Sequence, residues 1–362
     1  MKHNLLYYSI LLSFAIVACN NDEILEIPIS EGAILDIEVG GPTQPNQVYV
    51  DFSTDMQTAV HKSIWDIAFY SGSEFVVILN SATEVMAQNL QKSDWAQVEE
   101  SDYEGFKEQM NVDAIFSNLF SPPPYPDWFA ESSNWIDSPD GDLNNTAIEK
   151  ISATEDVNNI YFINRGQTPE RIPRGEYLVR VVRSGNGYKI EFKIPGSAEM
   201  ETTEIAKDEN FNLVYFNFDN GIVTSEPKKD LWDIAFTTYM EKLDVGGGIF
   251  IPYRFQDYVI QNRTNAKVAV REIEESESVF DAYERFTLDD TNSLVFNNDL
   301  NNIGSTWRSV ASPTPGSVTG VKDDRFYIVE DSSGNFYKLL FTQMLNNEGE
   351  RGFPQITYEL LK

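Results

Sequence analysis

Trp65-Asp66-Ile67-Ala68-Phe69 recurs letter for letter as Trp232-Asp233-Ile234-Ala235-Phe236. Each copy follows a related phrase: Val48-Tyr49-Val50-Asp51-Phe52 before the first, Val214-Tyr215-Phe216-Asn217-Phe218 before the second. The chain has only six tryptophans in 362 residues, so a shared pentapeptide built on one of them marks a duplicated folding unit. The 167 residues that separate Trp65 from Trp232 are too many for a solenoid repeat and predict two domains.

The duplication extends beyond the motif. Glu176-Tyr177-Leu178-Val179, a Ser184-Gly185-Asn186 turn and Tyr188-Lys189-Ile190-Glu191-Phe192 read as a β-hairpin. Phe326-Tyr327-Ile328-Val329, Ser333-Gly334-Asn335 and Tyr337-Lys338-Leu339-Leu340-Phe341 read as its counterpart. Tyr188 and Tyr337 stand only 149 residues apart, so extra sequence is expected around 158–175 in the first copy and over 240–253 in the second. The latter stretch includes Gly246-Gly247-Gly248.

Period-two alternation dominates and predicts an all-β protein of mainly antiparallel sheets with few short helices. It places Trp65, Ile67 and Phe69 on one strand face and Ile64, Asp66 and Ala68 on the other. Helical spacing is confined to 93–110 and 272–286. The prolines at 122, 123, 124 and 126 predict a surface loop over 120–127.

The first eighteen residues are expected to be an address and not part of the fold. Leu5 to Ala18 is apolar but too short for a spanning helix, and it ends Ile16-Val17-Ala18-Cys19. That ending reads as a lipoprotein signal cleaved before Cys19, the only cysteine of the chain and the expected lipidation site. The acidic stretch Asn20-Asn21-Asp22-Glu23 resembles lipoprotein surface-export signals, which implies an outer-membrane lipoprotein displayed at the cell surface, with a periplasm-facing location as the alternative. The expected division is a signal peptide over 1–18, a tether and first strand over 19–41, a first β domain over 42–198 and a second over 199–362.

A formal net charge of −30 repels phosphate backbones and anionic lipid, so nucleic acid is excluded as a partner. Membrane attachment then falls to the lipid on Cys19. No G-x-S-x-G, H-E-x-x-H, cysteine–histidine cluster or phosphate loop occurs, and the chain reads as a non-enzyme. Asp140-Gly141-Asp142-Leu143-Asn144 lacks the glycine and closing glutamate of a calcium loop and reads as a polar turn. Trp95, Tyr125, Trp128 and Trp135 are candidates for an aromatic platform, with Trp307 the expected counterpart of Trp135.

Taken together, the lipoprotein signal, the VYxxF and WDIAF strands and the closing hairpin resemble the HmuY-like lipoproteins of Bacteroidetes, once per copy. The resemblance implies two tandem HmuY-like β domains. It also implies haem held between loops at one end of the fold and passed to an outer-membrane receptor, as in iron acquisition. Haem-binding members are similar to one another in using a pair of histidines or of methionines. Here His61 is the only histidine after the signal, so a bis-histidine site within one chain is impossible. The candidate cofactor ligands are Met240 and Tyr239 beyond the second WDIAF, Tyr70 directly after the first, and His61. The alternative is an interaction or structural surface lipoprotein that keeps the fold without axial ligands.

Overall fold

The computed structural model describes residues 29–121, 124–312 and 316–362, so the signal over 1–18, Cys19 and the start of the tether lie outside the described residues. The chain opens with β1 (Gly32–Asp36), β2 (Asn46–Asp51) and β3 (Met56–His61). It continues with β4 (Ile67–Tyr70), β5 (Val77–Leu79), β6 (Met86–Asn89), β7 (Ile160–Asn164), β8 (Glu176–Ser184) and β9 (Gly187–Lys193). Then come β10 (Glu201–Ile205), β11 (Leu213–Asn217), β12 (Gly221–Val223), β13 (Ile234–Asp244), β14 (Phe250–Gln261) and β15 (Lys267–Glu272). β16 (Arg308–Ser309), β17 (Gly320–Val321), β18 (Arg325–Glu330), β19 (Phe336–Leu345) and β20 (Arg351–Leu360) complete it. The α-helices are short: α1 (Phe106–Gln109), α2 (Val112–Leu119), α3 (Asp127–Glu131) and α4 (Val279–Arg285). The protein is mainly antiparallel β with few short helices, as the alternation predicts.

The sheets form two sandwiches that do not follow the order of the repeats. One pairs the sheet β10-β9-β8-β7-β6 with β12-β11-β4-β5, and its core runs from Ile67 to Phe218. We call it the continuous unit. The other pairs β1-β20-β19-β18-β15 with β14-β13-β2-β3. Its core joins Val48, Val50 and Phe52 to Ile234, Phe236 and Tyr358, so its chain is split. The first VYxxF strand therefore pairs with the second WDIAF strand (Val50 opposite Ile234), and the second VYxxF strand with the first WDIAF strand (Phe216 opposite Ile67). The sequence boundary at 198/199 falls between β9 and β10, two strands that pair with each other.

A helical layer covers the outer face of each five-stranded sheet. In the continuous unit Ile115, Phe129 and Trp135 pack on Met86, Phe162 and Leu178. In the split unit Val279, Tyr283 and Phe286 of the α4 region pack on Phe326, Ile328 and Leu340. Within 93–110 the expected helix is reduced to 3-10 turns at 95–97 and 100–102 followed by α1, whereas 272–286 yields α4, capped by Ser278. Trp135 and Trp307 are both fully buried, one under this outer layer and the other in the split-unit core.

Two expectations are corrected. Trp65 does not share a face with Ile67 and Phe69: it packs with Ala68 and Tyr215, while Ile67 and Phe69 enter the core. The reason is that the strand starts only at Ile67, after a 3-10 turn over 62–64, so alternation does not reach back to the tryptophan. The two Ser-Gly-Asn hairpins are also not twins. One joins β8 to β9 and the other β18 to β19, which lie at different places in their sheets. Ring contacts give the true match: Tyr177 stacks on Phe218 at 4.4 Å, and Tyr337 meets Phe52 at 5.6 Å.

The extra sequence of the first copy is narrower than the expected 158–175, because 160–164 is β7, the counterpart of β18; that of the second copy falls on the β13–β14 hairpin. The β7–β8 connection spans 165–175 where the β18–β19 connection spans only 331–335, and β13–β14 is a long hairpin where β4–β5 is short.

Candidate functional site

The chain crosses between the units twice, over 62–66 and over 224–233, and the WDIAF motif sits at the end of each crossing. Each motif is pinned in the same way. The Phe218 amide donates to Asp66 Oδ2 at 2.8 Å, and the Phe52 amide to Asp233 Oδ2 at 2.9 Å. A buried asparagine braces each tryptophan from the facing strand. Asn80 Nδ2 donates to the Lys62 and Trp65 carbonyls, and Asn262 Nδ2 to those of Lys229 and Trp232.

With the isoleucine and phenylalanine of each motif committed to a core, the outer faces carry Trp65 with Tyr215 and Trp232 with Tyr49. Both pairs are edge-to-face, at 4.9 and 5.0 Å. These faces meet between the units and enclose a cavity of about 90 Å³. The split unit contributes Tyr49, Trp232, Thr237, Tyr239 and Met240 to its wall; the continuous unit contributes Trp65, Ile78, Ser81 and Tyr215.

The wall also carries polar side chains, among them Gln47, Asp137, Asp142, Asn212, Glu226 and Arg263. The Tyr49 and Tyr215 hydroxyls interact across the junction, and Tyr215 also interacts with Glu226. Glu226 lies on the second crossing, is buried, and accepts from the Leu213 amide at 3.0 Å. Burial pushes its carboxyl up to about 7, against the pull of the Leu213 and Asn212 hydrogen bonds. Asp137, on the wall, accepts the Leu79 and Ala147 amides; burial pushes it up to about 6. Trp232 Nε1 is buried and has no hydrogen-bond partner.

The candidate residues do not converge. Met240 and Tyr239 line the junction cavity. The Met240 side chain is buried in the apolar cluster of Met110, Trp135 and Ile251, and its amide donates to Ser81 Oγ at 2.6 Å. Tyr239 stacks on Tyr258 at 4.9 Å, and burial raises its hydroxyl well above the usual tyrosine range. Tyr70 ends β4 and lines a separate surface groove with Ser71, Lys207 and Phe211. His61 ends β3, is exposed, and accepts the Ser63 amide on Nδ1 at 3.2 Å, which makes it a cap for the 3-10 turn that follows. Of the proposed aromatic platform, Trp128 stacks on Trp135 and Tyr125 on Phe129 within the helical layer.

Sequence reasoning missed Glu226, the asparagine braces and the arginines around Asp66. The repeated aspartate was the available signal, since a carboxylate kept inside an apolar pentapeptide calls for a partner.

The fold and junction define a tandem all-β architecture. The sequence model described as "HmuY protein" matches residues 43–205 and 209–358, and the chain belongs to the HmuY family. Similar solved structures include one from Bacteroides vulgatus ATCC 8482, provisionally described as an HmuY-like heme binding protein: 15% identity over 44% of this chain and 79% of that one, TM-score 0.23. A provisionally described lipoprotein of Bacteroides fragilis NCTC 9343 shares 11% over 51% of this chain and 88% of its own, TM-score 0.22. The apo HmuY analog of Tannerella forsythia shares 12% over 92% of this chain and 98% of its own, TM-score 0.24. A comparison with curated proteins found no match.

Proposed function

We propose that this chain is a lipid-anchored binding protein of the outer membrane, displayed at the cell surface, that captures a small ligand for uptake in the junction between its two units. It works without catalysis. The observation that carries this reading is the junction cavity itself. Both repeats build it, it is mainly apolar, and it holds an unpartnered indole N–H and a buried carboxylate that would orient a small guest.

Its volume of about 90 Å³ is well below the roughly 300–1,000 Å³ of sites that enclose drug-sized molecules, which disfavours a porphyrin in this space. Thermal-shift titration with indole tests the reading. Indole is expected to raise the melting temperature of the wild type and not of Ile78→Phe, which fills the cavity from its wall. No shift in the wild type would remove the support.

A second reading is haem capture for transfer to an outer-membrane receptor, as the family name suggests. It draws on one observation, that Tyr239 and Met240, both candidate iron ligands, share the cavity wall. Haemin titration separates the two readings. We expect no stoichiometric Soret shift, oxidised or reduced; a shift abolished by Tyr239→Phe or Met240→Leu would establish haem instead. Attachment is tested by labelling cells with a radioactive fatty acid. The full-length protein is expected to take up label and Cys19→Ala to take up none.

A further inference from the structure

The two WDIAF motifs are built alike and charged differently. In the continuous unit Asp66 is fully buried and meets Arg165 twice, at 3.1 and 3.0 Å, and Arg174 at 2.6 Å. Arg165 also reaches Asp219 at 2.6 Å and lies over the Tyr177 and Phe218 rings. In the split unit Asp233 is 5% exposed and accepts the equivalent backbone amide, but no ion pair to it is found among the described residues.

Register explains the difference. Ile163 pairs with Tyr177 and Val329 with Tyr337, so two residues further on Arg165 and Asp331 hold twin positions. The guanidinium of one unit is a carboxylate in the other. Arg174 comes from the long β7–β8 connection, which the short 331–335 turn does not reproduce.

The groups that face Asp233 are acidic or neutral. Asp51 comes from the end of β2 and Asp331 from the turn after β18. Tyr337 of β19 lies in the field of Asp331, Asp233, Asp51 and Asp55, and its hydroxyl is buried without a hydrogen-bond partner. The other three carboxylates are engaged: Asp51 by Ser53, Asp331 by the Ser333 and Asn335 amides, Asp55 by the Tyr358 hydroxyl. Among the described residues no three acidic, histidine or cysteine side chains are grouped to hold a metal ion. An isolated buried carboxylate surrounded by acids sheds its charge by taking a proton.

We propose that Asp233 is a proton-held latch. In the folded chain it is a neutral carboxylic acid, and losing its proton loosens the β2–β13 pairing of the split unit while β4–β11 of the continuous unit stays closed. Burial pushes the carboxyl up to about 8; the Phe52 amide opposes the shift, and Asp51 and Asp331 add to it. The folded state thus holds a proton that the unfolded chain releases at the ordinary aspartate value of 3.8. Stability contributed at low pH is lost as pH rises between those two values, and the loss levels off above the upper one. β2 carries Tyr49, β13 carries Tyr239 and Met240, and Trp232 precedes Asp233, so the responsive strands are those that wall the junction cavity.

Amide exchange in the full chain tests this, with wild type and Asp233→Asn compared at equal pH so that base catalysis cancels. Between about pH 5 and about pH 9 the wild-type-to-variant ratio is expected to rise at least about tenfold for β2 and β13 and to stay constant for β4 and β11. A constant ratio in all four strands overturns the latch, and so does a rise shared equally by all four. Should Asp233→Asn fail to fold, Asp331→Asn decides. Removing that facing charge is expected to slow β2 and β13 exchange near pH 9 relative to wild type, and no change refutes the proposal.

Discussion

Asp66→Asn is expected to lower the stability of the continuous unit by about 3–5 kcal/mol, the usual cost of removing one partner from a buried ion pair. The substitution keeps the shape and leaves an oxygen to accept the Phe218 amide, but it removes the charge and sets an N–H donor against Arg165 Nε and Arg174 in place of the other oxygen. What remains is Arg165 and Arg174, each 6% exposed, with Asp219 as the one carboxylate left beside Arg165. For a unit of this size the loss corresponds to roughly 6–20 °C in melting temperature. The same exchange at the twin position is expected to behave in the opposite way. Asp233→Asn removes a charge that has no counter-ion, and above about pH 8 it should unfold no earlier than wild type. Calorimetric melts of both variants at neutral and alkaline pH check the pair. Equal destabilisation by the two would show that the twin aspartates do the same work, against the geometry.

The second large effect concerns which piece of the chain folds. A fragment spanning 62–226 holds β4–β12, hence both sheets and the whole Ile67–Phe218 core of the continuous unit. It is expected to unfold cooperatively as a monomer. A fragment spanning 42–198, the first repeat as the sequence divides it, lacks Ile205, Phe216 and Phe218. In it β4 loses its neighbour β11, β9 loses β10, and the β2–β3 hairpin has no β13 to pair with. Three exposed strand edges, together with three missing core side chains each worth roughly 2–5 kcal/mol, exceed the net stability of a domain. This fragment is expected to be unfolded or to associate with other copies. Far-ultraviolet circular dichroism, urea titration and size-exclusion chromatography distinguish the outcomes. A cooperative monomer from 42–198 would mean that strand exchange is not required for folding.

Much of the architecture was legible because it is local. Alternation in the hairpin around Ser184-Gly185-Asn186 marks two strands whatever they pair with, and helical spacing over 272–286 announces α4. The surplus was readable only in outline, because the 149-residue spacing set Tyr188 against Tyr337, whereas the ring contacts make Tyr177 the match of Tyr337. The face of Trp65 was not, because a 3-10 turn of three residues interrupts the alternation just before the strand. The candidate ligands were chosen for donor chemistry and closeness to the motif. That choice brought Tyr239 and Met240 to one cavity, while Tyr70 and His61 face other surroundings. The counter-ions of Asp66 were out of reach because Arg165 and Arg174 sit in a connection that the second repeat does not match.

By itself the sequence determined that a β module occurs twice and that the chain belongs with the HmuY proteins. Only the tertiary structure decided which copy of each strand pairs with which. The physical reason is degeneracy: Val48–Phe52 and Val214–Phe218 present nearly the same alternating surface, so either satisfies either WDIAF strand locally. The choice is made by the crossings over 62–66 and 224–233 and by the two cores they close. From that choice follow the junction cavity and the unequal surroundings of Asp66 and Asp233.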